Sequence, residues 1–170
     1  MIFGLILIYG YRSINQFVGK SEQVELIDLR SQVEDAVHSI SLDFGSVKRV
    51  EVRVPSRFRT LCLVDLEWSA SGQSRSDALE HLCAISDLVC GAVKDNLGRV
   101  PSQDVHPQNM FLIPQADLEM AVGRIRVSQS PNPDFIQDSD LFACFPVAEG
   151  HVVLRLEGLG DRTGISAWPR

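Results

Sequence analysis

Between residues 20 and 44 the chain holds neither Gly nor Pro, and Leu26, Leu29, Val33, Val37, Ile40 and Phe44 recur at steps of three and four. That spacing puts them on one stripe of an α-helix, the face expected to pack on a sheet. The opposite face carries Glu22, Glu25, Asp28, Glu34, Asp35 and Asp43 against only Lys20 and Arg30. Upstream, residues 1–11 read MIFGLILIYGY, with Ile2, Phe3, Leu5, Ile6, Leu7, Ile8 and Tyr9 and no charge before Arg12. Gly19 is only a mild weakness in the stretch that joins the two. The pattern therefore predicts one helix over residues 1–44, apolar across 1–18 and amphipathic behind, with Gly45 as the residue that ends it.

Eleven helical residues reach about 16 Å, roughly half of a ~30 Å hydrocarbon core. The run has neither the basic start nor the small-residue cleavage site of a signal peptide. Three readings stand side by side: the C-terminal half of a membrane helix that begins upstream, a processed apolar tail bundled with identical tails, or a core element of a soluble domain.

Beyond Gly45 the period changes from helical to alternating. Residues 47–54, VKRVEVRV, set Val50, Val52 and Val54 against charge, the signature of a half-buried strand. Residues 60–66, TLCLVDL, form the next strand, and the short link between the two suits a hairpin. A second helix is expected near residues 76–96, capped by Ser76 and turning Leu79, Leu82, Cys83, Val89, Cys90 and Val93 inward. Strands follow at 110–113, 121–127, 141–147, 151–156 and 163–168, the last two as a hairpin whose Gly158 and Gly160 serve as turn formers with positive φ. The stretch 128–140, SQSPNPDFIQDSD, reads as a surface loop.

Composition narrows the classes. With 170 residues, 45% of them hydrophobic, the chain is long enough for one domain with a core and too apolar for disorder. A net charge of −6 with no basic patch speaks against nucleic acid. Single histidines at 38, 81, 106 and 151, no C-x-x-C and no H-E-x-x-H give metal chemistry nothing local to rest on. The glycines of EGLGD lie between strands, so they do not form a phosphate cradle.

Cys83 and Cys90, seven apart on one expected helix, would sit roughly 10 Å apart along its axis and read as core packers. Cys62 and Cys144 lie in the apolar runs LCLV and FACF; either they bridge, if those strands are neighbours, or they are two buried thiols. Asp65 interrupts a buried-looking strand and must be paired or sit at the strand's solvated end; Arg155, or Arg57 and Arg59 from the preceding turn, are the candidate partners. Glu157 and Asp161 flank a tight turn, too few oxygens for a good cation site.

An apolar helix running into an acidic amphipathic one and then an antiparallel sheet resembles the type IV pilin-like architecture. More closely, FGSVKRVEVRVPS, LCLVDLE, NMFLIP and LRLEGLGDRTGISAW resemble a group of small archaeal membrane-anchored proteins of that layout. The resemblance runs by motif from Phe44 to Trp168. It implies an α+β fold, a long N-terminal helix packed on an antiparallel β-domain over residues 45–170 with one further helix, and it implies no activity. A type IV prepilin would have a basic leader and a glutamate near the fifth position of the mature run, whereas the first glutamate here is Glu22. The chain is then either truncated upstream or not processed as a pilin.

The expectation is a membrane-associated surface protein with a structural, assembly or adhesion role. It would have no catalytic residues, cofactor or metal, would contact lipid or like subunits through its N-terminal helix, and would carry an extracytoplasmic domain. Arg12 and Lys20 on the domain side of the apolar run argue the other orientation. The rival expectation is a soluble interaction module that oligomerises through the apolar helix.

Overall fold

The computed structural model describes residues 23–68, 73–96, 107–116, 118–127 and 136–169. Within them the amphipathic stripe is a helix, α1 (23–41), and Leu26, Leu29, Val33, Val37 and Ile40 are all buried, joined by Ala36. The apolar run that includes Ile2, Phe3, Leu5, Ile6, Leu7, Ile8 and Tyr9 lies outside the described residues.

Phe44 departs from its expected place on the stripe: it is 83% exposed. The reason is the way the helix ends. Its last carbonyls lack helical partners and are met by neighbouring groups. The Gly160 N–H donates to Ser41 O (2.9 Å), Asp43 N–H donates to Ile40 O (3.0 Å), and the Thr163 hydroxyl donates to Val37 O (2.8 Å). The chain then swings through Gly45, at φ +78°, whose N–H donates to Gly158 O. Helical geometry thus stops before Phe44, and its side chain falls on the solvent side.

Eight strands follow: β1 (Val47–Arg53), β2 (Thr60–Val64), β3 (Met110–Ile113), β4 (Ile125–Val127), β5 (Ile136–Ser139), β6 (Phe142–Pro146), β7 (His151–Gly158) and β8 (Thr163–Ala167). They make two four-stranded sheets, ordered β1-β7-β8-β4 and β3-β2-β6-β5. All pairings are antiparallel except β4 with β8. The expected hairpin β7–β8 forms. The expected β1–β2 hairpin does not: residues 54–59 cross between sheets, with Phe58 buried in the crossing. The burial patterns explain the separation. β1 alternates and can leave one face wet, whereas β2 is apolar on both faces and must be an inner strand with cover on each side. The stretch read as a loop at 128–140 also contains a strand, β5, which adds irregularly to the β6 edge.

One core cluster joins the stripe of α1 to Val52, Leu154, Leu156 and Ile165 of the first sheet and to Leu61, Leu63, Met110, Leu112 and Phe145 of the second. A second cluster covers the other face of the second sheet, where Cys62, Val64, Phe111 and Phe142 meet Ala78, Leu82, Val89 and Val93. Those last four come from α2 (Gln73–Ile85) and α3 (Asp87–Asn96), two helices where one was expected. The break is at Ser86: its N–H still donates to Leu82 O, while its hydroxyl accepts from Val89 N–H at 3.4 Å as a new N-cap, with Asp87 in the first turn. The described fold is α+β.

Gly160 takes positive φ (+93°) as expected, but Gly158 is a different case. It ends β7 in ordinary strand geometry, and a Cβ there would collide with the carbonyl oxygens of Ile40 and Asp43. The absence of a side chain is what lets the end of α1 rest on the sheet. Gly158→Ala should therefore cost about 1–3 kcal/mol in urea unfolding, the usual scale for overpacking. Gly91, exposed on α3 with open space around its Cβ position, gives the opposite sign: Gly91→Ala should add about 0.5–1 kcal/mol.

Candidate functional site

All four cysteines are paired, which makes the disulfides the most definite chemistry in the chain. β2 and β6 are neighbours with Cys62 directly opposite Cys144, and the two form a disulfide with Cα atoms 4.0 Å apart. The bridge faces the second cluster, under α2 and α3. Cys83 and Cys90 also bridge, with Cα atoms 4.8 Å apart, which corrects their reading as separate core thiols. The 10 Å separation presumed one continuous helix. Breaking it at Ser86 folds α3 back beside α2 and brings the two sulfurs together. The signal available in the sequence was Ser86-Asp87, a cap and first-turn acid in the middle of an apolar pattern.

The second concentration of chemistry lies where the two sheets meet at the end of β2. Asp65 follows β2 and is only 3% exposed; one carboxylate oxygen accepts the Glu67 N–H at 2.9 Å. None of Arg155, Arg57 or Arg59 is the partner that the sequence suggested. The cations acting on Asp65 are Arg162, from the β7–β8 turn, and Arg126, on β4. Above it, Arg124 grips Glu67 in a two-pronged pair (2.7 and 2.9 Å). Arg162 contacts both Glu67 (3.1 Å) and Asp161 (2.8 Å), and Arg124 reaches Asp161 at 3.5 Å. Asn109 completes the floor, its amide donating to Gly123 O and accepting from Val122 N–H. The network ties the second sheet, through Asp65 and Glu67, to the first, through Arg124, Asp161 and Arg162.

The electrostatics split the acids. Burial pushes the Asp65 carboxyl up to about 6, against the pull of the Glu67 N–H and of Arg162. Glu67 is held below its ordinary value by its bond to Arg124, and Asp161 is held down by Arg162. The cavity beside Asp65 has a volume of about 20 Å³, room for a single water rather than a substrate. Asp161 is engaged by arginines and Glu157 by Arg155 at 2.7 Å, so neither stands ready for a cation. Among the described residues no group of three or more His, Cys, Asp or Glu could hold a metal ion. This arrangement joins sheets; it does not assemble a nucleophile with a base.

Two open grooves flank His151. One, of about 540 Å³, lies between α1 and the turns after β1 and β6, with Glu25, Asp28, Gln32, Arg53 and Ser56 on its walls. The other, of about 510 Å³, lies on the outer face of the first sheet near Arg49 and Trp168, which stack at 5.9 Å. His151 Nδ1 stands 3.3 Å from Glu51, both side chains well exposed.

No family model, curated protein or solved structure matches this chain. Among the described residues no helix is long and apolar enough to cross a membrane.

Cys62–Cys144 closes a loop across a sequence separation of 82 and Cys83–Cys90 one across 7. Chain-entropy scaling then makes loss of the first cost about 4–5 kcal/mol and loss of the second about 2–3 kcal/mol, measured with Cys→Ala pairs in urea. For Asp65 the folded value lies above the unfolded one, so the folded state holds the proton more tightly and stability falls as pH rises from about 4 through about 6. Glu67 and Asp161 act in the other sense, losing their contribution as pH drops through their depressed values. Melting temperatures of wild type should therefore decline as pH rises toward about 6 and level off above it, and Asp65→Asn, which keeps an acceptor for the Glu67 N–H, should remove that decline.

Proposed function

We propose that this chain is a membrane-associated surface protein whose β-rich domain lies in an oxidising, extracytoplasmic compartment and serves a structural, assembly or adhesion role. The observation that carries the reading is the pairing of all four cysteines, since such bridges form and persist outside the reducing cytosol. It weighs against the orientation suggested by Arg12 and Lys20. The uncharged run MIFGLILIYGY supplies the means of attachment: each CH₂ buried in lipid, or in a bundle of like runs, contributes about 0.8 kcal/mol.

The domain suits a structural role. Among the described residues the titratable groups with shifted affinity for protons are spent on a clasp between sheets, and the two concavities beside His151 are open grooves with charged residues on their walls. The pilin-like reading rests on the apolar run, on the stripe of α1 packed against sheets, and on the motif resemblance.

Replacing Leu5, Ile6, Leu7 and Ile8 together by Ser should move the protein from the carbonate-resistant membrane pellet to the supernatant. In intact cells, a membrane-impermeant maleimide should label Cys83, the partly exposed cysteine, only after external reduction with a thiol. Wild-type protein that stays in the supernatant, or cysteines that react only after lysis and without reduction, would replace this reading with that of a soluble interaction module.

A further inference from the structure

Among the described residues β1 is an edge of its sheet, bonded to β7 on one side only. The ladder to β7 fixes which of its backbone groups face outward. Val54 N–H donates to Gly150 O, and Ser46 O accepts from Gly158 N–H, in line with the register that sets Val47 opposite Glu157 and Arg53 opposite His151. In an antiparallel ladder alternate residues turn both backbone groups to the same neighbour. Lys48, Val50 and Val52 therefore bond to β7, and Val47, Arg49, Glu51 and Arg53 offer their N–H and C=O groups to the free edge.

We propose that this edge is a self-association surface: two copies of the chain pair their β1 strands antiparallel about a twofold axis at Val50, joining two four-stranded sheets into one continuous sheet. Full overlap of the strand Val47–Arg53 with a second copy sets Arg49 opposite Glu51 of the second copy and Glu51 opposite its Arg49. Both are hydrogen-bonded positions on the exposed outer face, where opposite charges across a strand pair attract. Val50, half-buried in one copy, meets Val50 of the other at the closer, non-hydrogen-bonded position. Sliding the pairing by one pair toward the strand start puts Arg49 against Arg49; sliding it the other way puts Glu51 against Glu51 and Arg49 against Arg53. Charge thus selects the register that also overlaps the whole strand.

Two further features fit the same occupant. Val47, 47% exposed, is an apolar residue at the start of β1. In this pairing that end lies beside the second copy's β1 terminus, where Arg53, Pro55 and Ser56 form one wall of the 540 Å³ groove. The contact is isologous, each copy offering the apolar end and the groove end once, and it consumes both edges, so it closes at a dimer. Lys48 and Arg53 make other registers repulsive, the usual guard on an edge strand. The inference is independent of whether residues 1–11 enter a membrane.

The test uses the full chain, in detergent where it is extracted from membranes. Val50→Cys should give a disulfide-linked dimer under mild oxidation, because Cα atoms at a non-hydrogen-bonded position stand about 4.5 Å apart. Lys48→Cys, which faces Val52 of the second copy, should not cross-link. In sedimentation equilibrium Glu51→Arg should weaken the dimer by about tenfold, and the swap Arg49→Glu with Glu51→Arg should restore it. All variants change solvent-facing or half-buried edge positions, and retention of both native disulfides by mass spectrometry checks the fold. A monomeric wild type, a dimer indifferent to Glu51→Arg, or cross-linking through Lys48→Cys instead of Val50→Cys overturns the proposal; a dimer held by the apolar run would show itself as that indifference.

Discussion

The fold depends on one close approach, that of the end of α1 to the last residue of β7. A side chain at Gly158 would occupy the space of the Ile40 and Asp43 carbonyl oxygens, so glycine sets how near the helix can lie. Once it lies there, Thr163 and Gly160 satisfy the carbonyls of Val37 and Ser41. These bonds fix the axial position of the helix, which in turn decides that Leu26, Leu29, Val33, Val37 and Ile40 meet the apolar faces of both sheets rather than one. A core shared in this way couples the two sheets: neither can bury its inner face without the helix in place.

The second sheet is held by a different logic. β2 is apolar on both faces, so its outer side needs α2 and α3 as cover. A single helix crossing that face would have its N- and C-terminal ends far apart. Breaking at Ser86 packs two short helices side by side, and Cys83–Cys90 holds the fold-back. Cys62–Cys144 then ties β2 to β6 beneath them. Both bridges therefore stabilise the side of the domain that α1 does not touch. At the seam between sheets the burial of Asp65 works against stability at neutral pH, while the arginine pairs around Glu67 and Asp161 work for it. The clasp is partly self-opposing, and apolar packing has to carry the join.

The stripe of α1 was legible because steps of three and four over an uninterrupted run admit only one face. The β7–β8 hairpin was legible because two alternating runs flank glycines. The misplaced β1–β2 link and the missed partners of Asp65 share a cause: periodicity reports which face of a strand is buried and is silent on which strands are neighbours. The alternation in β1 and the two-sided apolarity of β2 were both visible, yet not that a seven-residue and a five-residue strand separated by a short link would enter different sheets. Asp65 was recognised as needing a partner or a solvated end, but Arg162 and Arg126 reach it only through the β7–β8 turn and the parallel β4–β8 pairing. Local sequence favoured Arg57 and Arg59 instead. Phe44 continued the helical spacing while the backbone, claimed by Gly158 and Gly160, had already left the helix. Cys83 and Cys90 were misplaced because the apolar pattern runs through Ser86 without a skip.

A strand that stays out of a hairpin keeps an open edge, and among the described residues β1 is such a strand. Phe44, which leaves the helix stripe, stands in solvent near Gly160 of the β7–β8 turn instead. Pairing between copies would satisfy the edge through backbone hydrogen bonds at the outward-facing residues and through apolar contact at Val50. An apolar segment that holds many copies on one surface would raise their effective concentration, so that the pairing measurable with the extracted chain would be more complete where the protein is assembled.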